Sequence, residues 1–294
     1  MDKNWIVAKA SVIGNSHIKE NLPCQDSHDY KFFSDENFGI AVVSDGAGSA
    51  DFSDLGSIIV VKQAIEHFSK LIKTENFYAI PPEENIWKEK SIEVFKNIFE
   101  EIKKHGENEK INYKSLAATA IVVAIMPYGI IATHIGDGRA GYLNDKGEWL
   151  SCITPYKGEL ANETVFITSD FWEKENLEQF IESRVIQDSV VAFTLLSDGC
   201  ENVCFELNKF NSETQLYERL NNPYSGFYNH NIGVLKSLQS SGLLETEIDS
   251  MWANFLKSGL ESFTNEPDDK TLLLGIKISN ETETEQITQT ENAE

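Results

Sequence analysis

An apolar run that stops at an aspartate followed by glycine occurs three times in this chain. The run at residues 40–43 leads to Asp45, and similar runs end at Asp137 and Asp198. A fourth acidic position, Asp268, lies just before the last apolar run. Each pattern is typical of a buried strand that ends in a tight turn, where glycine permits close backbone approach. A single Asp-Gly pair is usually an ordinary turn, but four acidic strand ends predict a shared site.

Composition and charge argue against some classes of binding partner. The chain has 294 residues, 41% of them apolar, which is enough for a full hydrophobic core. Its formal net charge of −22 opposes binding to nucleic acid or to an anionic membrane surface, since both are negatively charged. No apolar stretch approaches the ~20 residues of a membrane span, and the first residues lack a secretory pattern. We therefore expect a cytoplasmic protein without nucleic-acid or membrane partners.

The four cysteines do not indicate a metal finger or a redox motif. Cys24 and Cys152 are isolated, and the spacing of Cys200 and Cys204 does not fit Cys-x-x-Cys. Free thiols in a reducing cytosol are the simplest interpretation.

Hydrophobic periodicity predicts an α+β protein. Strands are predicted at Trp5–Val12, 38–43, Ala120–Met126, 130–135, 139–143, 165–168, 190–196 and 272–276. One helix is predicted to begin near Ser53, and apolar faces at residues 92–102 and 252–263 predict two more helices. The absence of a βαβ rhythm favours mostly antiparallel sheets.

We predict a single domain at residues 1–278, because no internal repeat or clean linker divides it. The charged residues 104–114 predict a connection between two elements, and residues 205–240 give no readable periodicity. Residues 279–294 are rich in Glu, Thr, Gln and Asn, and we expect this acidic tail to be disordered.

The clustered aspartates favour a hard divalent cation. Carboxylates brought together without a cation repel one another, and some would have to remain protonated. Oxygen ligands suit Mg²⁺ or Mn²⁺, and two such ions can activate a bridging water for attack on a phosphoryl group. The scattered histidines make zinc a weak hypothesis. A structural Ca²⁺ site remains an alternative, although it does not explain why carboxylates from both ends of the chain take part.

Six motifs in order resemble the metal-dependent protein serine/threonine phosphatases of the 2C class, in a divergent bacterial branch. The resemblance covers about residues 8 to 278 and rests on Cys24-Gln25-Asp26, Ser44-Asp45-Gly46-Ala47-Gly48, Ala118-Thr119-Ala120, Gly136-Asp137-Gly138-Arg139, Ser197-Asp198-Gly199 and Asp268-Asp269-Lys270-Thr271. It implies a four-layer α-β-β-α sandwich of two mostly antiparallel sheets flanked by helices. It also implies a centre of two Mn²⁺ or Mg²⁺ ions at one edge of the sandwich.

The resemblance also implies roles for single residues. Asp45 would bridge both metal ions, and the carbonyl of Gly46 would ligate one of them. Asp198 and Asp268 would hold the other ion, and Asp26 would orient a metal-bound water. Attack by a metal-bridging hydroxide on the phosphorus would then proceed without a phosphoenzyme.

Several positions depart from the family pattern. Gln25 stands where relatives usually have glutamate, and Ala47 stands where some have a histidine general acid. No arginine matches the residue that grips substrate phosphate, so His17, or else Lys19, is predicted to replace it.

A third metal site is the least supported part of the resemblance. Asp137 matches an acidic position associated with a weaker third metal. Asn202, however, replaces an aspartate that helps to bind that metal in many relatives.

Several of these residues also have purely structural interpretations. Asp137 with Gly138 could form a simple turn, with Arg139 as its surface ion-pair partner. Thr119 could bury a strand hydroxyl, and His134 could be a packed strand histidine.

The leading functional hypothesis is a phosphatase that removes phosphate from serine or threonine of a phosphorylated protein. An alternative is a catalytically weak module that binds phosphopeptides, and a metal sensor is a more distant third. By analogy with the family, the protein is expected to oppose a Ser/Thr kinase, and we predict a monomer. Residues 205–240 or 151–190 are the predicted segments for substrate docking.

Overall fold

The structure, a computed structural model, describes residues 5–156 and 164–278. The predicted acidic tail at residues 279–294 lies outside the described residues.

Two five-stranded antiparallel sheets form the centre of the molecule. Sheet I has the strand order β2–β3–β4–β5–β8, formed by Ser27–Phe33, Phe38–Ser44, Ala120–Met126, Gly129–Ile135 and Glu182–Gln187. Sheet II has the order β1–β12–β9–β6–β7, formed by Trp5–Val12, Lys270–Lys277, Val190–Leu196, Arg139–Asn144 and Trp149–Ser151. Alternate residues of the inner strands, such as Val43, Ile121 and Leu195, fill the space between the sheets.

Helices cover the outer face of each sheet. The two long helices α2 (Ser53–Thr74) and α3 (Glu84–Glu109) pack on sheet I through Phe68, Trp87 and Phe95. Sheet II is covered by α5 (Ser225–Ser240) and α6 (Glu245–Ser258). The predicted α-β-β-α sandwich is confirmed. Shorter helices are α1 (Asn15–Glu20), α4 (Glu201–Cys204) and α7 (Glu261–Asn265).

A third, two-stranded sheet lies outside the sandwich. It is the hairpin of β10 (Phe205–Asn211) and β11 (Leu216–Pro223), in the region that shows no clear periodicity in the sequence. Most of its side chains are exposed, so the alternation that reveals a half-buried strand is missing. Among the described residues, no helix combines the length and the apolar character that crossing a bilayer requires.

Some element predictions are wrong. Residues 165–168 form no strand, although Val165 and Ile167 are buried. The predicted connection at 104–114 is mostly helix, because α3 continues to Glu109 with its charged face in solvent. The edge strands β2 and β8 were missed, since both are polar and only partly buried.

Candidate metal centre

The Asp45 turn is fixed by its neighbour strand. β3 pairs with β4 in a register that aligns Val43 with Ile121, which places Asp45 opposite Thr119. The N–H of Asp45 donates to the Thr119 hydroxyl at 2.9 Å, and the N–H of Thr119 donates to the Asp45 carbonyl at 2.8 Å. Ser44 donates its hydroxyl to the Thr119 carbonyl at 2.6 Å. Thr119 is therefore a binding partner of the turn rather than an ordinary strand residue.

Gly46 is required by close packing of three backbone segments. A Cβ at this position would lie 2.7 Å from the carbonyl oxygens of both Gln25 and Ser53. Only glycine fits there without moving the backbone. The turn after β3 thus meets the loop before β2 and the start of α2.

Asp26 is held by two hydroxyls through one of its oxygens. Its Oδ2 accepts from Ser197 Oγ at 2.7 Å and from Thr271 Oγ1 at 2.8 Å. Its Oδ1 is buried and has no hydrogen-bond partner. Burial raises the pKa of Asp26 to about 7 although the two hydroxyls lower it, and the neighbouring Asp269 and Asp268 raise it further.

The other predicted acidic residues belong to the same electrostatic cluster. Burial, followed by the charges of Asp137 and Asp268, raises the pKa of Asp198 to about 7. Burial, followed by the charges of Asp26, Asp198, Asp268 and Asp137, raises the pKa of Asp45 well above its usual range. The fold therefore brings together Asp26 and the four aspartates that the sequence placed at strand ends.

This donor set fits a hard divalent cation. Asp198 Oδ1 and Gln25 Oε1 are, like Asp26 Oδ1, buried oxygens without a partner, and carboxylate and amide oxygens are ligands that Mg²⁺ and Mn²⁺ prefer. Burial and mutual repulsion raise these pKa values, and a bound cation would offset both effects. Within residues 5–156 and 164–278, no three acidic, histidine or cysteine side chains form a ready-made metal site.

Asp269 joins the first loop to the last strand, a role that the sequence analysis missed. Its buried carboxylate accepts from the N–H of Gly14 at 2.7 Å and from the N–H of Gln25 at 2.5 Å. The Nδ1 of His17 lies 2.9 Å from the same carboxylate. Local sequence offers no signal for these contacts beyond the Asp268-Asp269 pair itself.

The position of His17 bears on its predicted role. Only 8% of His17 is exposed, and the ring nitrogen that contacts Asp269 points away from solvent. Lys19, the other candidate for gripping phosphate, is exposed on α1. The phosphate-gripping role of either residue stays a prediction.

Arg139 is buried, so it is not the surface residue that one interpretation of the Asp137 turn required. It is 2% exposed, its Nε and Nη2 each lie 2.9 Å from Glu201, and Nη1 donates to Asn221. The guanidinium also lies 5.5 Å from the ring centroid of Phe205. Arg139 therefore links the Asp137 turn, the Asp198 turn and the base of the β10–β11 hairpin.

The remaining candidates occupy structural positions. His134 is buried, and desolvation lowers its pKa to about 4, as for a packed strand histidine. Ala47 is buried beside the Asp45 turn, and Asn202 is exposed on α4. All four cysteines are free, and burial raises the pKa of each thiol, which makes them poor nucleophiles at neutral pH.

Comparison with known proteins places this chain in a family. The model of the family described as "Protein phosphatase 2C" matches residues 13–238, more than half of the chain. The chain belongs to the protein phosphatase 2C family. The matched region contains Asp26, Asp45, Asp137 and Asp198, and it ends before Asp268.

Individual known proteins resemble this chain to different degrees. Serine/threonine-protein phosphatase 3 of Escherichia coli is 28% identical over 208 residues, covering 69% of this chain and 77% of the relative. Stp1, a serine/threonine phosphatase from Staphylococcus aureus, has a TM-score of 0.54 at 12% identity, and the match covers 93% of this chain and 95% of that chain. RsbX in complex with magnesium has a TM-score of 0.51 at 12% identity, covering 95% of this chain and 98% of that chain. At these identities the two solved structures show the shared fold.

Proposed function

We propose that this member of the 2C family is a metal-dependent phosphatase that hydrolyses phosphoserine and phosphothreonine in phosphorylated proteins. The observation that carries the proposal is the cluster of Asp26, Asp45 and Asp198, whose pKa values are all raised. Asp26 Oδ1 and Asp198 Oδ1 are buried there without a hydrogen-bond partner, as expected for oxygens that face a cation or its bound water. The serine/threonine phosphatase from Escherichia coli supports the reaction class, and the magnesium complex of RsbX supports the class of metal.

The residues proposed to hold two Mn²⁺ or Mg²⁺ ions are Asp45, Gly46, Asp198 and Asp268. When bound, the ions would activate water and neutralise the phosphoryl oxygens. Asp26 would orient a water through Oδ1, since Oδ2 is already occupied by two hydroxyls. Asp137 remains a proposed ligand of a third ion.

A phosphopeptide-binding module with weak catalysis is the second candidate. Gln25 favours it, because its buried amide replaces a charge near the centre. Ala47 also favours it, because its side chain has no proton to give to the leaving alkoxide.

Phosphate release and metal content should be measured on the same purified full chain. We expect Mn²⁺-dependent hydrolysis of p-nitrophenyl phosphate and of a phosphothreonine peptide, and loss of both with Asp45→Asn. Asp35→Asn is the matched control, because Asp35 is exposed in the turn at the opposite end of β3. Hydrolysis that persists in chelator would refute the metal mechanism. Calorimetric binding of phosphopeptide without phosphate release would favour the second candidate.

Opposition to a Ser/Thr kinase, a monomeric state and a cytoplasmic location stay predictions. The same holds for substrate docking through residues 205–240 or 151–190. In the described structure the first of these segments contains the β10–β11 hairpin and α5. Deleting the hairpin tip, residues 211–216, and comparing substrate preference would test that part of the prediction.

A further inference from the structure

A row of hydrogen bonds runs from Asp26 to the edge of the sandwich. The registers β1–β12 and β12–β9 align Ser11 with Thr271 and bring Ser197 alongside. Thr271 Oγ1 lies 2.8 Å from Asp26 Oδ2 and 2.6 Å from Ser11 Oγ. Ser11 Oγ lies 2.7 Å from Nδ1 of His28, on the edge strand of sheet I. These contacts join three strands across both sheets.

The number of available protons determines which group donates in each of these hydrogen bonds. Each hydroxyl has one proton to donate. Ser197 Oγ accepts from the N–H of Thr271 at 3.0 Å, and it donates its proton to Asp26 Oδ2. When Asp26 is ionised, Thr271 donates its own proton to the same carboxylate oxygen, so Thr271 must accept from Ser11.

The donor in the contact between Ser11 and His28 follows from the donor in the contact between Ser11 and Thr271. Because Ser11 gives its proton to Thr271, it can only accept at its contact with His28. The Nδ1 of His28 must then carry a proton. Burial and nearby Lys9 lower the pKa of His28 to about 4, so near pH 7 the ring carries one proton, and that proton is on Nδ1.

We propose that Ser11, Thr271 and His28 are positioning residues for Asp26. Their one-way hydrogen bonds occupy Oδ2 and hold the carboxylate so that Oδ1 stays free to accept from a ligand in the centre. The inference rests on the proposed function, in which Asp26 Oδ1 orients the attacking water. It adds three positioning residues to the proposed centre, and two of them, Ser11 and His28, lie outside the six family motifs.

The tautomer of His28 provides a test that does not depend on activity. The full chain labelled with ¹⁵N-histidine is examined by NMR at pH 8, where Asp26 is mostly ionised, and the His28 signals are assigned by their loss in His28→Gln. We expect a protonated Nδ1 and an unprotonated Nε2 in His28. An unprotonated Nδ1 would overturn the proposal, whether or not the protein hydrolyses phosphate.

Kinetics then separate positioning from general stabilisation. Thr271→Val should lower kcat by about 10-fold or more with KM nearly unchanged, as expected for loss of one charge-assisted hydrogen bond, and Thr271→Ser should restore it. Thr194→Val is the control, because Thr194 is an equally buried β9 threonine whose hydroxyl bonds Leu273 and Tyr228 instead. It should lose stability but keep kcat. Wild-type kcat in Thr271→Val, or an equal kcat loss in Thr194→Val, would contradict the positioning role.

Discussion

The Thr119 hydroxyl accepts a hydrogen bond from the backbone N–H of Asp45 at 2.9 Å, and this bond holds the turn after β3 against the neighbouring chain segment. Thr119→Val should leave that N–H without a partner and lower the free energy of unfolding by about 1–3 kcal/mol. Hydrolysis should fall as well, because the Asp45 carboxylate is attached to the same turn. Thr119→Ser, which keeps the hydroxyl, is the control in urea unfolding and phosphate-release assays. Equal behaviour of the valine and serine variants would contradict this account.

The contact of Gly46 with two carbonyl oxygens predicts the effect of one added methyl group. Gly46→Ala should destabilise the protein by about 1–3 kcal/mol and abolish Mn²⁺-dependent hydrolysis, because neither backbone segment can move easily. Gly233→Ala is the matched control, since a Cβ there meets nothing within 4 Å and the residue lies in α5. That substitution should raise stability by about 0.5–1 kcal/mol in thermal or urea unfolding. Activity retained by Gly46→Ala would show that the turn adapts.

The buried guanidinium of Arg139 predicts coupling between the hairpin and the centre. Arg139→Met leaves Glu201 and Asn221 without their partner, and we expect a loss of about 2–3 kcal/mol. Hydrogen exchange of residues 205–223 should increase more than that of the sheets. Arg184→Met is the control, because Arg184 is about half exposed and its ion pair with Glu182 should contribute less than about 1 kcal/mol. Unchanged exchange in the hairpin would show that other contacts hold it.

The raised pKa of Asp198 predicts a stability that depends on pH. Its folded pKa of about 7 lies above the unfolded value of 3.8, so this carboxyl group favours the folded state less and less as the pH rises from about 4 through 7. In chelator at pH 8, Asp198→Asn should therefore stabilise the protein by roughly 1–3 kcal/mol, and by less at pH 5.

Urea unfolding at both pH values, with Asp35→Asn as the control, checks this expectation. Added Mn²⁺ should reverse the order at pH 8, because the wild type gains stability by binding the ion and the variant gains less. If the variant were less stable than the wild type in chelator at pH 8, the ionised Asp198 side chain would be stabilising the folded state, which would contradict this prediction.

Much of the central architecture was predictable from sequence because its signals are local. The strands β3, β4, β5 and β9 are continuous apolar runs, and the Asp-Gly pairs that end three of them are visible without any tertiary information. The strands β2 and β8 and the hairpin lack that signal, since they lie at edges or in solvent and carry polar residues.

The sequence by itself determined which carboxylates lie at strand ends, because strand period and turn chemistry depend on neighbouring residues. Only the tertiary structure decided how those carboxylates are held. Asp26 is bonded to Thr271, 245 positions away, and Arg139 to Glu201, 62 positions away. Such contacts depend on strand register and on packing between sheets, and no local pattern encodes either of them.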